Sequence, residues 1–321
     1  MSLPADLSSR LSLPLIAAPM FLVSGVELVV ATCVESAIGS FPTANARTIE
    51  ELDVWLTQMR RRVEEAEQRV GKRLAPICPN LIVHRSNTRL ADDLQVLLRH
   101  RVELVIASVG SPENVIAPLH DIGCRVFTDV ASMRHAEKAI ATGSDGLVLL
   151  TAGAGGQTGW ANPFAFVRAV RAIWDGPLVL AGGIADGHAL RAAEVLGCDL
   201  AYMGTKFIAT RESMAKEAYK DMLVSSRLDD VLLTRAFTGL ETNMLRPSIL
   251  AAGADPDNLP ARGSIDVAKD INRDAREHGA KRWKDIWSAG HSVSGVADIS
   301  PVAGLIARTR QEYAEAYRHS Q

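Results

Sequence analysis

Two glycine-bearing stretches of the sequence could bind an anion. Gly182 and Gly183 follow the apolar run PLVLA, and Gly204 and Thr205 follow the run DLAYM. Glycines after a buried strand leave backbone N–H groups accessible, and a helix that begins there adds partial positive charge. The Thr205 hydroxyl can donate one more hydrogen bond. Either stretch alone could be a tight turn without a ligand, but together they predict a phosphate site.

A third stretch, GAGGQTG at residues 153–159, could approach a ligand closely but contains no base. It is not the dinucleotide fingerprint G-x-G-x-x-G, because Thr158 stands where the last glycine is required. Gln157 can hydrogen-bond to an oxygen atom of a ligand, but it cannot accept a proton near neutral pH. We therefore predict that Gly155, Gly156 and Gln157 contact a ligand, with Gln157 orienting it.

Three titratable side chains elsewhere in the chain are candidates for a base. Asp129 ends the apolar run CRVFTD and is the first candidate, although a carboxylate there could instead cap the next helix or pair with Lys or Arg. His84 follows the run APICPNL and could reach the same edge of the molecule. His291 follows the turn WSAG near the C-terminus. The candidate catalytic residues are thus Gln157, Asp129, His84 and His291.

These residues lie at the ends of eight short apolar runs, and the runs predict the elements that position them. The runs are LPLIAAP, SAIGSF, APICPNL, ELVIAS, CRVFTD, DGLVLL, PLVLAG and DLAYM. Runs that are apolar on both faces are typical of buried parallel strands. Helices are predicted at 48–70, 132–142 and 186–196, where capping residues precede them and glycines follow. The alternation predicts an α/β fold, a (β/α)8 TIM barrel whose chemistry lies at the C-terminal ends of the strands.

The pattern changes after about residue 210. Residues 213–283 combine helical segments with the polar stretch LRPSILAAGADPDNLPARG, which favours a small helical insertion or lid that contains a charged helix at 266–283. Residues 1–212 and 284–321 are then assigned to the barrel. A final amphipathic helix of about 301–318 is expected to pack back against it.

Composition excludes several classes of partner. The chain has 321 residues, 47% hydrophobic and 22% charged, and a formal net charge of -2. It has neither an apolar run long enough to span a bilayer nor a basic stripe for nucleic acid. Its four cysteines are far apart and embedded in apolar runs, so no metal site is predicted. We expect a cytoplasmic enzyme that acts on a small molecule as a monomer or homodimer.

Six motifs together resemble one enzyme family. They are PLIAAPM, PNL, GAGGQTG, LAGGIADGHAL, LAYMGTKFIATRES and IWSAGHSVSGV. The chain resembles the FMN-dependent nitronate monooxygenases, formerly called 2-nitropropane dioxygenases, and the related FMN-dependent enoyl-ACP reductases and NAD(P)H:quinone reductases. The resemblance implies an FMN site made of Ala18, Pro19, Met20, Asn80, Asp129, Gly155, Gly156, Gln157, Gly182, Gly183, Met203, Gly204, Thr205, Trp287, Ser288, Ala289 and Gly290.

The chain departs from that family at one position. Many members carry a histidine base in AGGHxG, where this chain has Gln157. A nitronate is already an anion, so its oxidation by flavin and O2 does not need that base, whereas turnover of neutral nitroalkanes should fall. The resemblance therefore favours oxidative denitrification of alkyl nitronates.

Three alternatives remain open at this stage. One is an FMN enzyme that uses NADH or NADPH to reduce enoyl thioesters or quinones. Another is a flavin-binding module without catalysis. The third is a non-flavin barrel such as an aldolase or phosphosugar isomerase, although no strand-end lysine is present for a Schiff base.

Overall fold

Eight parallel strands form a closed barrel in the computed structural model, which describes residues 2–260 and 285–318. The strands are β1 (Leu15–Ala17), β2 (Ile38–Pro42), β3 (Ile77–Ile82), β4 (Leu104–Ser108), β5 (Arg125–Val130), β6 (Gly146–Leu150), β8 (Leu178–Ala181) and β9 (Leu200–Met203). Each strand pairs with the next along the chain, and β9 pairs with β1 to close the barrel. Each of the eight apolar runs matches one of these strands to within two residues at either end, so the TIM-barrel prediction is confirmed.

Helices follow the strands and cover the outside of the barrel. They are α1 (Ala5–Ser8), α2 (Val26–Val34), α3 (Ile49–Val70), α4 (Leu90–Arg99), α5 (Glu113–Asp121), α6 (Met133–Ala141), α7 (Pro163–Arg171), α8 (Gly187–Leu196), α9 (Thr205–Ile208), α10 (Glu217–Ser225), α11 (Arg246–Ala251) and α12 (Val302–Arg318). The predicted helices correspond to α3, α6, α8 and α12. None of the described helices is long and apolar enough to cross a membrane.

Side-chain caps set the helix starts that matter for the site. The Ser132 hydroxyl accepts a hydrogen bond of 3.2 Å from the His135 amide at the start of α6. The Asp186 carboxylate accepts one of 2.8 Å from the Ala189 amide at the start of α8. Such caps satisfy amides that have no partner within the helix. Each helix therefore begins a few residues after its strand, and a short loop remains at the C-terminal face.

Two apolar layers hold the barrel together. Inward side chains such as Ile16, Phe127, Val148 and Leu200 fill its interior. Outward side chains of the same strands pack against the helices in separate clusters. Because the interior is filled, the barrel has a solid floor, and a ligand can enter only at the end where the strands deliver their loops.

The segment after residue 212 contains strands as well as helices. Strands β10 (Val231–Thr234) and β11 (Thr242–Leu245) form an antiparallel hairpin, and β11 also pairs with β7 (Gly156–Gln157). The hairpin was not predicted, because its strands have four residues each and its third partner is a two-residue strand in a glycine loop. The predicted helix at 266–283 lies outside the described residues. The boundaries proposed for the insertion, 213–283, remain a prediction.

Helix α12 returns to the barrel as expected and packs along α8. The start of α8 lies so close to α12 that a Cβ atom on Gly187 would be 2.0 Å from the Tyr313 amide nitrogen. Only glycine allows this approach of two backbones. The contact fixes the C-terminal helix beside the loop that follows β8.

Candidate active site

An inner cavity of about 240 Å³ lies at the C-terminal ends of the strands. Most residues predicted for the site line it: Ala18, Pro19, Met20, Asn80, Asp129, Gly155, Gly156, Gln157, Gly182, Gly183, Gly204, Thr205, Trp287, Ser288 and Ala289. These residues come from loops spread over the whole chain. The barrel therefore brings together what the sequence separates.

The turns after β8 and β9 leave space on one side of this cavity. Gly183 has φ +78°, and a Cβ atom there would meet nothing within 4 Å. A Cβ atom on Gly204 would make only ordinary contacts, 3.5 Å from the Ala18 Cβ and 3.7 Å from the Met20 Sδ. The Thr205 hydroxyl oxygen accepts a 3.0 Å hydrogen bond from the Gly290 amide, which leaves its own hydrogen able to donate. The turns can therefore hold a compact anion.

Polar side chains form the floor of the inner cavity. The Asn80 amide donates to the Ile106 carbonyl at 3.1 Å and accepts from the Ser108 hydroxyl at 3.3 Å. In contrast, Asp129 Oδ1 and the Tyr202 hydroxyl are buried without a hydrogen-bond partner in the described part of the chain. An unpaired buried polar group costs roughly 1–3 kcal/mol. A ligand in this cavity would supply the missing partners.

Burial also changes the acidity of these two groups. It raises the pKa of Asp129 to about 7. Burial, followed by the neighbouring charge of Asp129, raises the pKa of the Tyr202 phenol well above its usual range. Asp129 can thus be protonated or ionised near neutral pH, as a proton-transfer group requires, while Tyr202 remains a hydrogen-bond donor.

The glycine loop after β6 is packed against protein on several sides. A Cβ atom on Gly155 would lie 2.7 Å from the Gly290 amide nitrogen, and one on Gly153 would lie 2.8 Å from the His291 ring. The Asn243 side chain donates to the Ala154 carbonyl at 2.7 Å. Together with the pairing of β7 and β11, these contacts hold Gln157 in place at the cavity wall.

An outer cavity of about 660 Å³ adjoins the inner one. Five residues line both cavities: Val109, Asp129, Leu150, Gln157 and Leu240. The outer cavity also has walls from His84, Ser111, Pro112, Ser132, His135, Lys138, Ala139, Trp160, Arg235 and Glu241. Asp129 and Gln157 therefore stand at the junction, where a molecule entering from outside would meet one bound inside.

Comparison with known proteins places this barrel in a family. The family model described as nitronate monooxygenase matches residues 7–312. The chain belongs to the nitronate monooxygenase family. It is 30% identical over 232 residues to a nitronate monooxygenase of Paraburkholderia phytofirmans, a match that covers 68% of this chain and 63% of that protein.

Other relatives have different names. The chain is 25% identical over 285 residues to a (3aS,4S,5R,7aS)-5-hydroxy-7a-methyl-1-oxo-octahydro-1H-indene-4-carboxyl-CoA dehydrogenase of Rhodococcus jostii, covering 89% of this chain and 76% of that one. Among solved structures, FabK from Thermotoga maritima has a TM-score of 0.78 at 22% identity and 98% and 96% coverage of the two chains. A nitroalkane oxidase from Streptomyces ansochromogenes has a TM-score of 0.80 at 24% identity and 99% and 100% coverage. These structures share the barrel fold.

Members of the nitronate monooxygenase family are FMN-dependent oxidoreductases. The inner cavity fits such a cofactor in two respects. The turns at Gly183 and Gly204 are open where a phosphate needs backbone approach, and the buried Asp129 and Tyr202 oxygen atoms need polar partners. Among the described residues, no cluster of three or more His, Cys, Asp or Glu side chains could hold a metal.

The roof of the cavity contains a stacked aromatic pair. Trp287 and Tyr219 have ring centroids 5.0 Å apart and planes inclined by 12°. The Tyr219 hydroxyl donates to the Ser288 carbonyl and so ties α10 to the WSAG turn. Trp287 and Ser288 were predicted to close over a cofactor, and the structure places both against the inner cavity.

Four predicted residues lie away from the inner cavity. Met203 is fully buried in the outer core, because side chains alternate along β9 and its neighbour Tyr202 points inward. Gly290 lies behind the glycine loop and acts through Thr205, and His291 is exposed beside Gly153. His84 lines only the outer cavity, where its Nδ1 is 2.8 Å from the Ser86 hydroxyl.

Sequence reasoning missed several residues of the inner cavity, among them Ser108, Tyr202 and Tyr219. Ser108 is the last residue of the fourth apolar run and of β4, so the rule that chemistry lies at the C-terminal ends of the strands could have found it. Tyr202 stands two residues before Gly204, and the same alternation that turns Met203 outward predicts that Tyr202 points inward. Tyr219 gave no signal, because its helix belongs to the segment after the barrel.

Proposed function

We propose that this chain oxidises alkyl nitronates with FMN bound in the inner cavity. In this proposal Gly182, Gly183, Gly204 and Thr205 surround the FMN phosphate, and the ring lies between Met20 and Gln157. The observation that carries the proposal is the position of Asp129. It carries a buried, unpaired oxygen and, like Gln157, lines both cavities of a barrel of the nitronate monooxygenase family.

FMN and the residues at the junction have different roles in this proposal. FMN, when bound, supplies the electron acceptor and the reaction with O2. Gln157 donates its amide hydrogens to the nitro oxygens and so orients the substrate. Asp129 accepts or returns a proton, because its pKa of about 7 makes both of its forms available. A nitronate carries no proton that must be removed, so Gln157 suffices where relatives use histidine.

Anaerobic rapid mixing tests the proposal directly. The purified FMN-loaded protein is mixed separately with ethyl nitronate, NADH and NADPH while the flavin absorbance is followed. We expect the nitronate to bleach the flavin band, and admission of O2 to restore it with release of nitrite. Bleaching by a nicotinamide nucleotide and not by the nitronate would contradict the proposal.

That opposite result would support a second candidate, an NADH- or NADPH-dependent reductase of enoyl thioesters or quinones. One observation favours it: the outer cavity, at about 660 Å³, is larger than a small nitronate needs. The Rhodococcus relative, named for a CoA substrate, points the same way. A flavin-bound protein that reacts with none of these compounds would instead support a binding module without catalysis. A cytoplasmic location and a monomeric or homodimeric state remain predictions.

A further inference from the structure

The outer cavity has one apolar wall that ends at the surface. Leu150, Leu240 and Pro112 contribute apolar side chains to it. Trp160 continues this wall outward, and 74% of its surface is exposed. A large aromatic ring left exposed beside a cavity marks a place where an apolar partner can cover it.

A second part of the lining, on α6, is basic. His135 and Lys138 are three positions apart on α6, so they share the helix face that lines the cavity. Ser132 caps the same helix, and its N-terminal end adds partial positive charge near His135. Within residues 2–260 and 285–318, no carboxylate forms an ion pair with Lys138. The positive charge of this wall is therefore not compensated by the protein.

The other charged residues of the outer cavity do not neutralise the positive charge on α6. Arg235 and Glu241 form an ion pair of 2.8 Å with each other across the hairpin. Asp129 is the other carboxylate, and its raised pKa of about 7 keeps a large share of it protonated at neutral pH. An anion that enters the outer cavity would thus meet net attraction at α6.

We propose that the outer cavity binds an amphiphilic anion, with an apolar chain or ring against Trp160 and a carboxylate or phosphate at Lys138 and His135. The inference rests on the proposed function and names its substrate class. The bound molecule continues past Leu150 to Gln157, where its reactive group meets the flavin. Either a free carboxylate or the phosphorylated part of a thioester would supply this chemistry.

Calorimetric titration of the FMN-loaded protein tests the charge requirement. The probes are octanoate and 1-octanol, which share a chain and differ in charge, and octanoyl-CoA as a third arm. We expect octanoate to bind more tightly than 1-octanol, and the Lys138→Glu variant to weaken octanoate binding about tenfold. Arg134→Glu is the matched control, because Arg134 is exposed on the same helix and lines neither cavity.

A second pair of variants tests the contribution of Trp160 to the apolar wall. Trp160→Ala should weaken both octanoate and 1-octanol by about fivefold. Phe164→Ala is its control, since 66% of Phe164 is exposed and it lines neither cavity. Tighter binding of octanoyl-CoA than of octanoate would identify the thioester as the source of the anion, and weaker binding would identify the free carboxylate.

Three results would overturn the proposal. They are equal affinity for octanoate and 1-octanol, equal losses from Lys138→Glu and Arg134→Glu, and no effect of Trp160→Ala. Calorimetry measures binding and not turnover, so the result is independent of whether nitronates are oxidised. A failure of this inference can therefore be told apart from a failure of the proposed function.

Discussion

Glycines occur in the loops at two ends of the adjoining cavities, and they serve opposite purposes. After β8 and β9, Gly183 and Gly204 face open space or ordinary contacts. After β6, a Cβ atom on Gly155 would lie 2.7 Å from the Gly290 nitrogen, and one on Gly159 would lie 2.0 Å from the Leu150 carbonyl oxygen. The first pair leaves space that a ligand can occupy. At the second pair, the absence of a side chain allows neighbouring backbone segments to pack closely together.

The difference explains how the site can be rigid and still accommodate a cofactor. The packed loop after β6 holds Gln157 against β11, because its backbone cannot move without meeting the WSAG turn. Gly182 packs against Thr151, but Gly183 and Gly204 have no such close contacts, so an anion can approach their backbone without displacing protein atoms. Substitutions at the two ends should therefore separate loss of cofactor from loss of stability.

The largest effect is expected at the open end. Gly204→Val would place methyl groups where the FMN phosphate is proposed to lie, and FMN affinity should fall at least about 100-fold because charge-assisted hydrogen bonds are lost. Flavin absorbance after gel filtration and fluorescence titration of the apoprotein measure this loss. The melting temperature of the apoprotein should change little. Full retention of flavin by the variant would remove the phosphate assignment.

The next largest effect concerns proton transfer at the junction. With a neutral nitroalkane, kcat/KM should rise with pH through about 7, because Asp129 acts as a base only when ionised. Asp129→Asn should remove this inflection and lower the rate about 100-fold or more.

The same variant should keep its FMN and its stability. A carboxyl whose pKa is raised by folding destabilises the folded state when the pH rises from the unfolded value through about 7, so an amide at position 129 should not lower the melting temperature at pH 8. An unchanged pH profile in Asp129→Asn would exclude this residue as the base.

At the packed end, the expected effect is on folding. Gly159→Ala should lower the free energy of unfolding by about 3 kcal/mol, because its Cβ atom would meet the Leu150 carbonyl. Gly304→Ala is the control, since a Cβ atom there, in α12, would meet only Pro301 at 3.9 Å and should add about 0.5–1 kcal/mol. Urea unfolding of both variants measures the contrast. Equal stabilities would show that the loop after β6 is not packed as described.

The smallest effect is expected from restoring the family's base. Gln157→His should raise turnover of neutral nitroalkanes by up to about tenfold and should leave FMN binding intact, because the loop backbone does not change. Steady-state nitrite release from nitroethane, set beside that from its nitronate, measures the gain. If both substrates respond equally, the histidine does not act as a base in this barrel.

The sequence predicted the barrel well because each strand and helix start can be recognised from a short stretch of neighbouring residues. Each strand is a short apolar run, and caps such as Thr48 and Asp186 mark the helices within a residue or two. The turns at Gly183 and Gly204 were predicted for the same reason, since the order of strands determines where their loops meet.

The packing of the glycine loop after β6 could not be predicted from neighbouring residues in the sequence. Nothing near Gly155 in the sequence shows that residues 289–291 lie against it, and the pairing of β7 with β11 joins segments more than 80 residues apart. Met203 was assigned to the site and Tyr202 was not, although alternation along β9 turns Tyr202 toward the cavity and Met203 toward the outer core. His291 was placed at the site because it follows the WSAG turn, whereas three-dimensional packing leaves it exposed.

The most direct test of the site is a crystal structure of the chain with FMN bound. We predict that the phosphate lies within hydrogen-bonding distance of the Gly183 and Gly204 amides and the Thr205 hydroxyl, with the ring beside Asp129 and Gln157. A phosphate found in the outer cavity at Lys138, or turns after β8 and β9 that close on themselves, would contradict the account.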